Sequence, residues 1–311
     1  MSSWTASYID SLAGKTFVVT RGTSGIGLET VKELLRHDAF VIMGASEEKK
    51  GKKVLEDLKR EFPDGKLMCE HLDLGSLSSI YGFVDRIMHD HPSVDVLINN
   101  ACTKATPKRL ETTDGHELVF SINYLGHFVL TSQLFPLLLR SRDPRVVSVS
   151  SLRHHSGKLN FENLEFHKGY EPDVVYSQSK LAILMFALEL HRRCHVSGNN
   201  VRSIPVHPGA LESEIFDAGP LSLVQRILIK SLGQNAHKGA LPILFGATSL
   251  EARSGIYYGP DGVNEYWGNP IEAKVAVHAD NMIASARLWE ESEKLAGVRF
   301  DVSGSKTIGL H

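Results

Sequence analysis

A short apolar run, Lys15–Thr20 (KTFVVT), leads through a glycine-rich turn directly into a stretch of helical spacing. The turn reads Thr20-Arg21-Gly22-Thr23-Ser24-Gly25-Ile26-Gly27, and the stretch Ser24–Arg36 carries Ile26, Leu28, Val31, Leu34 and Leu35 as one apolar stripe. Three glycines between a strand and a helix let the chain turn sharply and let the helix pack close to the strand. The first free N–H groups of such a helix, and the positive end of its dipole, also favour an anion. A plain glycine-rich turn has the same composition; what strengthens the anion reading is the position at the first strand-to-helix junction.

The alternation then continues. Further strands are expected at Phe40–Met43, Lys66–His71, Val94–Ile98, Arg145–Ser150, Val201–Val206 and Gly255–Tyr258. Helices are expected at Glu48–Phe62, Ser76–His91, Glu117–Leu139, Val174–Arg193, Ala236–Thr248 and Asp280–Leu295. Strands and helices alternating at this spacing predict right-handed βαβ units, giving an α/β, Rossmann-type doubly wound parallel sheet with helices on both faces. No linker or repeat interrupts the pattern. One domain over residues 14–311 is therefore expected, after an N-terminal extension of residues 1–13, with Gly255–Pro270 as a surface loop.

Charge is nearly balanced, with 34 Lys plus Arg against 36 Asp plus Glu, so composition offers no reason to expect nucleic acid or an anionic membrane as partner. The three cysteines, Cys69, Cys102 and Cys194, are far apart, which suggests neither disulfides nor a zinc site and fits a reducing, cytoplasmic setting. Met1–Asp10 lacks the basic-then-apolar order of a signal peptide. No apolar run in the sequence is expected to span a bilayer, and no metal-ligand spacing is present.

Tyr176-Ser177-Gln178-Ser179-Lys180 places a phenol and an amine four residues apart, on one face of a helix. A nearby ammonium stabilises a phenolate and brings a phenol with an ordinary pKa near 10 toward the working range. Ser148, Ser150 and Ser151 end the strand Arg145–Ser150 with hydroxyls, and Asn123 stands inside a helix, where asparagine is a poor former. Asp73-Leu74 follows the third strand and Asn99-Asn100-Ala101-Cys102 the fourth; His207-Pro208-Gly209-Ala210-Leu211-Glu212-Ser213 follows the sixth.

Together these segments resemble the short-chain dehydrogenase/reductase family. Thr20–Gly27 is similar to its TGxxxGxG motif, with Arg21 in place of the first glycine. Asn99–Ala101 is similar to its NNAG, with Cys102 in place of the glycine. The resemblance implies a catalytic set of Asn123, Ser151 (Ser150 as fallback), Tyr176 and Lys180. Tyr176 would exchange the proton of the substrate oxygen, Lys180 would assist it and hold the nicotinamide ribose, Ser151 would orient the oxygen, and Asn123 would hold a linking water. It also implies a dinucleotide held by Thr20, Arg21, Gly22, Thr23, Ser24, Gly25, Ile26, Gly27, Ser46, Asp73, Leu74, Asn100 and Ala101, with Pro208, Gly209 and Ser213 at the nicotinamide end.

The second strand ends in Met43-Gly44-Ala45-Ser46, without the acid that would anchor an unphosphorylated ribose. With Arg21, Lys49 and Lys50 nearby and Glu47 and Glu48 opposing them, NADP(H) is favoured while NAD(H) stays open. The insertion Ser151–Asp173 and the segment Leu288–Glu293 resemble the retinol-dehydrogenase-like branch, over about Gly14 to Leu295. An amphipathic stretch, Ile215–Leu232, is expected to cover a lipophilic carbonyl or alcohol, a packed core helix being the alternative. The departures at Arg21, Ser46 and Cys102 leave open a non-redox enzyme or a dinucleotide- or metabolite-binding regulatory protein on the same fold. Homo-oligomerisation is open too.

Overall fold

The computed structural model describes residues 4–210 and 234–304. Among the described residues, eight strands form one sheet in the order β3-β2-β1-β4-β5-β6-β7-β8. They are β1 (Thr16–Thr20), β2 (Phe40–Ala45), β3 (Leu67–His71), β4 (Val96–Asn99), β5 (Arg145–Val149), β6 (Arg202–Val206), β7 (Tyr258–Pro260) and β8 (Pro270–Glu272). All pairs are parallel except β7–β8. The strand order reverses between β1 and β4, the place where a sheet of this kind opens a crevice at the carboxyl ends of its strands.

Period-two alternation feeds two cores, one on each face. Val18, Ile42, Leu97 and Val146 enter one, under α3 (Leu77–Asp90), α4 (Leu118–Leu138), α5 (Pro172–Ser197) and α7 (Met282–Ala296). Phe17, Val19, Met43, Ile98, Val147 and Ile204 enter the other, under α1 (Gly25–Arg36), α2 (Glu48–Glu61) and α6 (Leu241–Thr248). Each such buried side chain contributes about 1.5–3 kcal/mol relative to exposure. The N-terminal segment is docked on the second core through buried Ile9 and Leu12 and an edge-on contact of Trp4 with Phe245.

Four details differ from the sequence reading. The stretch Gly255–Pro270 is not simply a loop: β7 begins three residues later than expected, and Pro270–Glu272 returns as an antiparallel edge strand. Three residues beginning with proline are too short to show alternation, and proline is tolerated at the start of an edge strand. The expected helix Ala236–Thr248 is split into Ala236–Gly239 and α6 around Ala240. Helix α4 has the length and hydropathy of a membrane span, contrary to expectation, because it lies at the centre of the fold; 78% of its most apolar 18-residue window is buried in protein. Ile215–Leu232 and Ser213 lie outside the described residues.

Candidate active site

A cleft of about 230 Å³ opens at the strand-order reversal. Thr20, Arg21, Thr23, Ser24, Ser46, Asp73, Leu74 and Ala101 line it, joined by Glu47, Lys50, Cys102 and Thr103. Thr20 is fully buried and organises the floor rather than offering its hydroxyl to a ligand. Its Oγ1 accepts the N–H groups of Asn100 and Ala101, each at 2.8 Å, and Asn100 Nδ2 donates to its carbonyl at 2.8 Å. With both acceptor positions taken, the hydroxyl proton goes to His127 Nε2 at 3.0 Å, and His127 Nδ1–H donates to the Asn123 carbonyl at 3.3 Å. Burial drives the His127 pKa down to about 3, which keeps the imidazole neutral as this arrangement requires.

Arg21 explains why a glycine would suit its position: its φ is 53°, in the left-handed region that side chains disfavour. The arginine is retained at that cost, and its Nη1 donates across the cleft to the Cys102 carbonyl. Gly27 permits the closest packing, since a Cβ there would come within 2.5 Å of the Arg21 carbonyl and Asn100 Nδ2. Gly22 is buried against Met43 and Val31, and Gly25 has a φ of 55°. Ser24 makes no capping bond, so the N–H groups of Gly25, Ile26 and Gly27 head α1 toward the cleft without a side-chain cap. This uncapped, closely packed turn fits a pyrophosphate. Ser46 and Lys50 reach the lining, whereas Lys49 does not; Glu47 reaches it from the opposing side of the charge balance. Asp73 Oδ1 accepts the Gly75 N–H at 2.9 Å, while Ser76, not Asp73, caps α3.

The catalytic candidates lie outside the cleft lining and reach it through two of its residues, Tyr176 through Cys102 and Asn123 through Thr103. Tyr176 is half-buried on α5, with its hydroxyl 3.6 Å from Cys102 Sγ. One turn on, the buried Lys180 places Nζ 5.9 Å from the Tyr176 ring centre and donates to the Val149 carbonyl at 3.2 Å. Ser150 donates its hydroxyl into the core, to the Lys180 carbonyl at 2.7 Å. That bond commits Ser150 to structure, while the Ser151 hydroxyl, just past the strand's end, accepts the Arg153 N–H at 3.3 Å. Asn123 stands in a widened turn of α4, Ser121–Leu125, with i→i+5 bonding; such turns concentrate at functional sites. Its side chain accepts from Thr103 N at 2.7 Å and donates to Thr103 O and Ser179 Oγ, both at 3.0 Å. It therefore ties the β4 exit to α5 beside Lys180.

Sequence reasoning missed Thr103, His127 and Gln178. Gln178 Oε1 accepts from Asn160 N and Nε2 donates to Leu164 O, so the residue between Tyr176 and Lys180 anchors the insertion before α5. Its place inside the Tyr176–Lys180 pentapeptide was the available signal. His154 is buried, with Nδ1 donating to the Ser151 carbonyl at 2.8 Å and the Ala276 N–H donating to Nε2 at 3.3 Å. Pro208 and Gly209 follow β6, and Gly209 has a φ of 76° that a side chain would strain.

The model of the short chain dehydrogenase family matches residues 15–219. Mouse (Mus musculus) retinol dehydrogenase 14 is 35% identical over 301 residues, covering 92% of this chain and 86% of its own. Polyprenol dehydrogenase of Danio rerio is 32% identical over 292 residues, 92% of this chain and 88% of its own. A crystal structure of a protein from Mycobacterium paratuberculosis superposes with a TM-score of 0.80 at 34% identity, covering 96% of this chain and all of that one. The chain belongs to the short chain dehydrogenase family.

Proposed function

We propose that this protein is an oxidoreductase that interconverts a lipophilic alcohol and its carbonyl with a nicotinamide dinucleotide, NADP(H) in preference to NAD(H). The observation that carries the reading is the placement of Tyr176 and Lys180 on one face of α5, with the Tyr176 hydroxyl 3.6 Å from Cys102, a residue that lines the same cleft as the uncapped glycine turn. When bound, the dinucleotide supplies or accepts the hydride. Thr23, Ser24, Gly25, Ile26 and Gly27 hold its pyrophosphate, and Asp73, Leu74, Asn100 and Ala101 its adenosine half. Pro208, Gly209 and Ser213 hold the nicotinamide end. Tyr176 gives its hydroxyl proton to the carbonyl oxygen in reduction and takes it back in oxidation. Lys180 supplies the fixed cation beside that hydroxyl, and Ser151 fixes the substrate oxygen by a hydrogen bond.

The preference for NADP(H) follows from the residue at the β2 end. Arg21 and Lys50 in the cleft lining are balanced by Glu47 and Asp73, so the support comes from Ser46, which brings neither the bulk nor the charge that would turn away a 2′-phosphate. The substrate class is drawn from relatives named for retinol and for polyprenol. Titration with NADPH and NADH, followed by a panel of apolar aldehydes and ketones read at the nicotinamide absorbance band, tests the reading. Tighter binding of NADPH and turnover of at least one apolar carbonyl are expected; binding of neither dinucleotide would overturn it.

A further inference from the structure

The turn His207-Pro208-Gly209-Ala210 is held from outside by a second loop, residues 261–268, whose backbone is strained. Asn264 and Glu265 are adjacent non-glycine residues with φ of 54° and 60°. Each costs about 1–2 kcal/mol relative to right-handed backbone, and strain of this kind persists where the surrounding structure over-determines it. What it achieves is the placement of one carboxylate. Glu265 Oε2 lies 3.1 Å from Nε2 of the fully buried His207, and Oε1 accepts the Lys274 N–H at 3.0 Å.

The polarity of this chain of bonds is fixed. Gly209 N–H donates to His207 Nδ1 at 3.2 Å, so Nδ1 is an acceptor and the ring's single proton sits on Nε2, pointing at Glu265. Burial lowers the His207 pKa and keeps the ring in this neutral form. A carboxylate accepts from both Nε2–H and Lys274 N–H; a carboxamide has one acceptor and would turn an NH₂ against one of them. Neighbouring bonds complete the clamp: Ala210 N–H donates to the Tyr266 carbonyl at 2.9 Å, and Gln234 Nε2 donates to the Pro208 carbonyl. Gly259 lies under the imidazole, where any Cβ would strike it.

We infer that Glu265, acting through His207, is a positioning residue that holds the Pro208–Gly209 turn in the shape that receives the nicotinamide half of the dinucleotide. The inference rests on the dinucleotide reading above, but its failure is separately visible. The experiment measures binding of NADPH and of its fragment adenosine 2′,5′-bisphosphate, with NADH and AMP as the parallel pair, to wild type, Glu265→Gln, Glu265→Ala and Asn264→Gly. Loss of one charged hydrogen bond in the clamp should weaken NADPH about tenfold in Glu265→Gln, and no less in Glu265→Ala, while the fragment, which never reaches this turn, binds as to wild type. Asn264→Gly relaxes the strain and keeps the carboxylate, so its NADPH affinity should stay within about twofold of wild type.

Unchanged NADPH affinity in Glu265→Gln would overturn the inference. So would an equal loss for NADPH and fragment, which would mark a merely structural role, or a loss in Asn264→Gly as large as in Glu265→Gln. Wild type that binds neither dinucleotide would instead refute the function on which the inference rests.

Discussion

Replacing Thr20 by valine tests whether one hydroxyl organises the cleft. Valine keeps the volume of threonine, so packing of this fully buried side chain hardly changes. What disappears is the acceptor for the Ala101 N–H at 2.8 Å and the donor to His127 Nε2, while the Asn100 N–H keeps the Ile98 carbonyl at 3.0 Å. Leaving a buried polar group unpaired costs about 1–3 kcal/mol, so the double loss is set at about 3 kcal/mol. Thr20→Ser keeps every bond and removes one methyl, for about 1 kcal/mol. At about 2 °C per kcal/mol for a domain of this size, thermal unfolding should place Thr20→Val some 4 °C below Thr20→Ser. The same variant should bind dinucleotide more weakly, because Ala101 lines the cleft. Equal melting temperatures for the two variants would refute the reasoning, since the hydroxyl would then contribute nothing beyond its methyl neighbour.

Three further outcomes follow from the same geometry. Burial holds the His127 pKa near 3 in the folded protein against an ordinary value of 6.5. The unfolded chain therefore binds the extra proton first, and the stability that this residue contributes is present above pH 6.5 and lost as pH falls toward 3. By pH 5 the loss is about 2 kcal/mol, and His127→Gln should flatten the stability profile below pH 6.5 in urea titrations; an unchanged slope would contradict the burial argument. Ser46→Asp, at the exposed end of β2, should lower the ratio of NADPH to NADH affinity about tenfold by repelling a 2′-phosphate; an unaltered ratio would place that phosphate elsewhere. Gly27→Ala drives a methyl to within 2.5 Å of Asn100 Nδ2 and the Arg21 carbonyl, and overpacking of this kind costs about 1–3 kcal/mol; wild-type melting would show that the turn gives way freely.

Most of the first six strands were legible because they are short apolar runs between helices of clear period, and a parallel sheet covered on both faces needs such runs; β3, which ends in Glu70 and His71, was legible from its place between two helices. Strand β8 was not, since Pro270-Ile271-Glu272 owes its place to pairing with β7 rather than to any pattern of its own. In the site, Tyr176, Lys180, Asn123 and Ser151 were legible as a set, because their order along the chain carries the resemblance. Hydrogen-bond bookkeeping was not legible. Only the fold shows that Ser150 is consumed by the Lys180 carbonyl, that Thr20 faces His127, and that Glu265 reaches His207 across 58 residues. Arg21 illustrates the middle case: the sequence marked it as a departure, and its φ of 53° gives the physical reason that a glycine suits the position.

The central claim is that the Tyr176 hydroxyl moves the proton. Tyr176→Phe removes only that oxygen, so the decisive measurement is NADPH affinity and single-turnover reduction of an apolar carbonyl, wild type against variant. Affinity within about threefold of wild type and turnover reduced about 10²–10⁴-fold, the range a positioned general acid supplies, are expected. Turnover in Tyr176→Phe at the wild-type rate would contradict it.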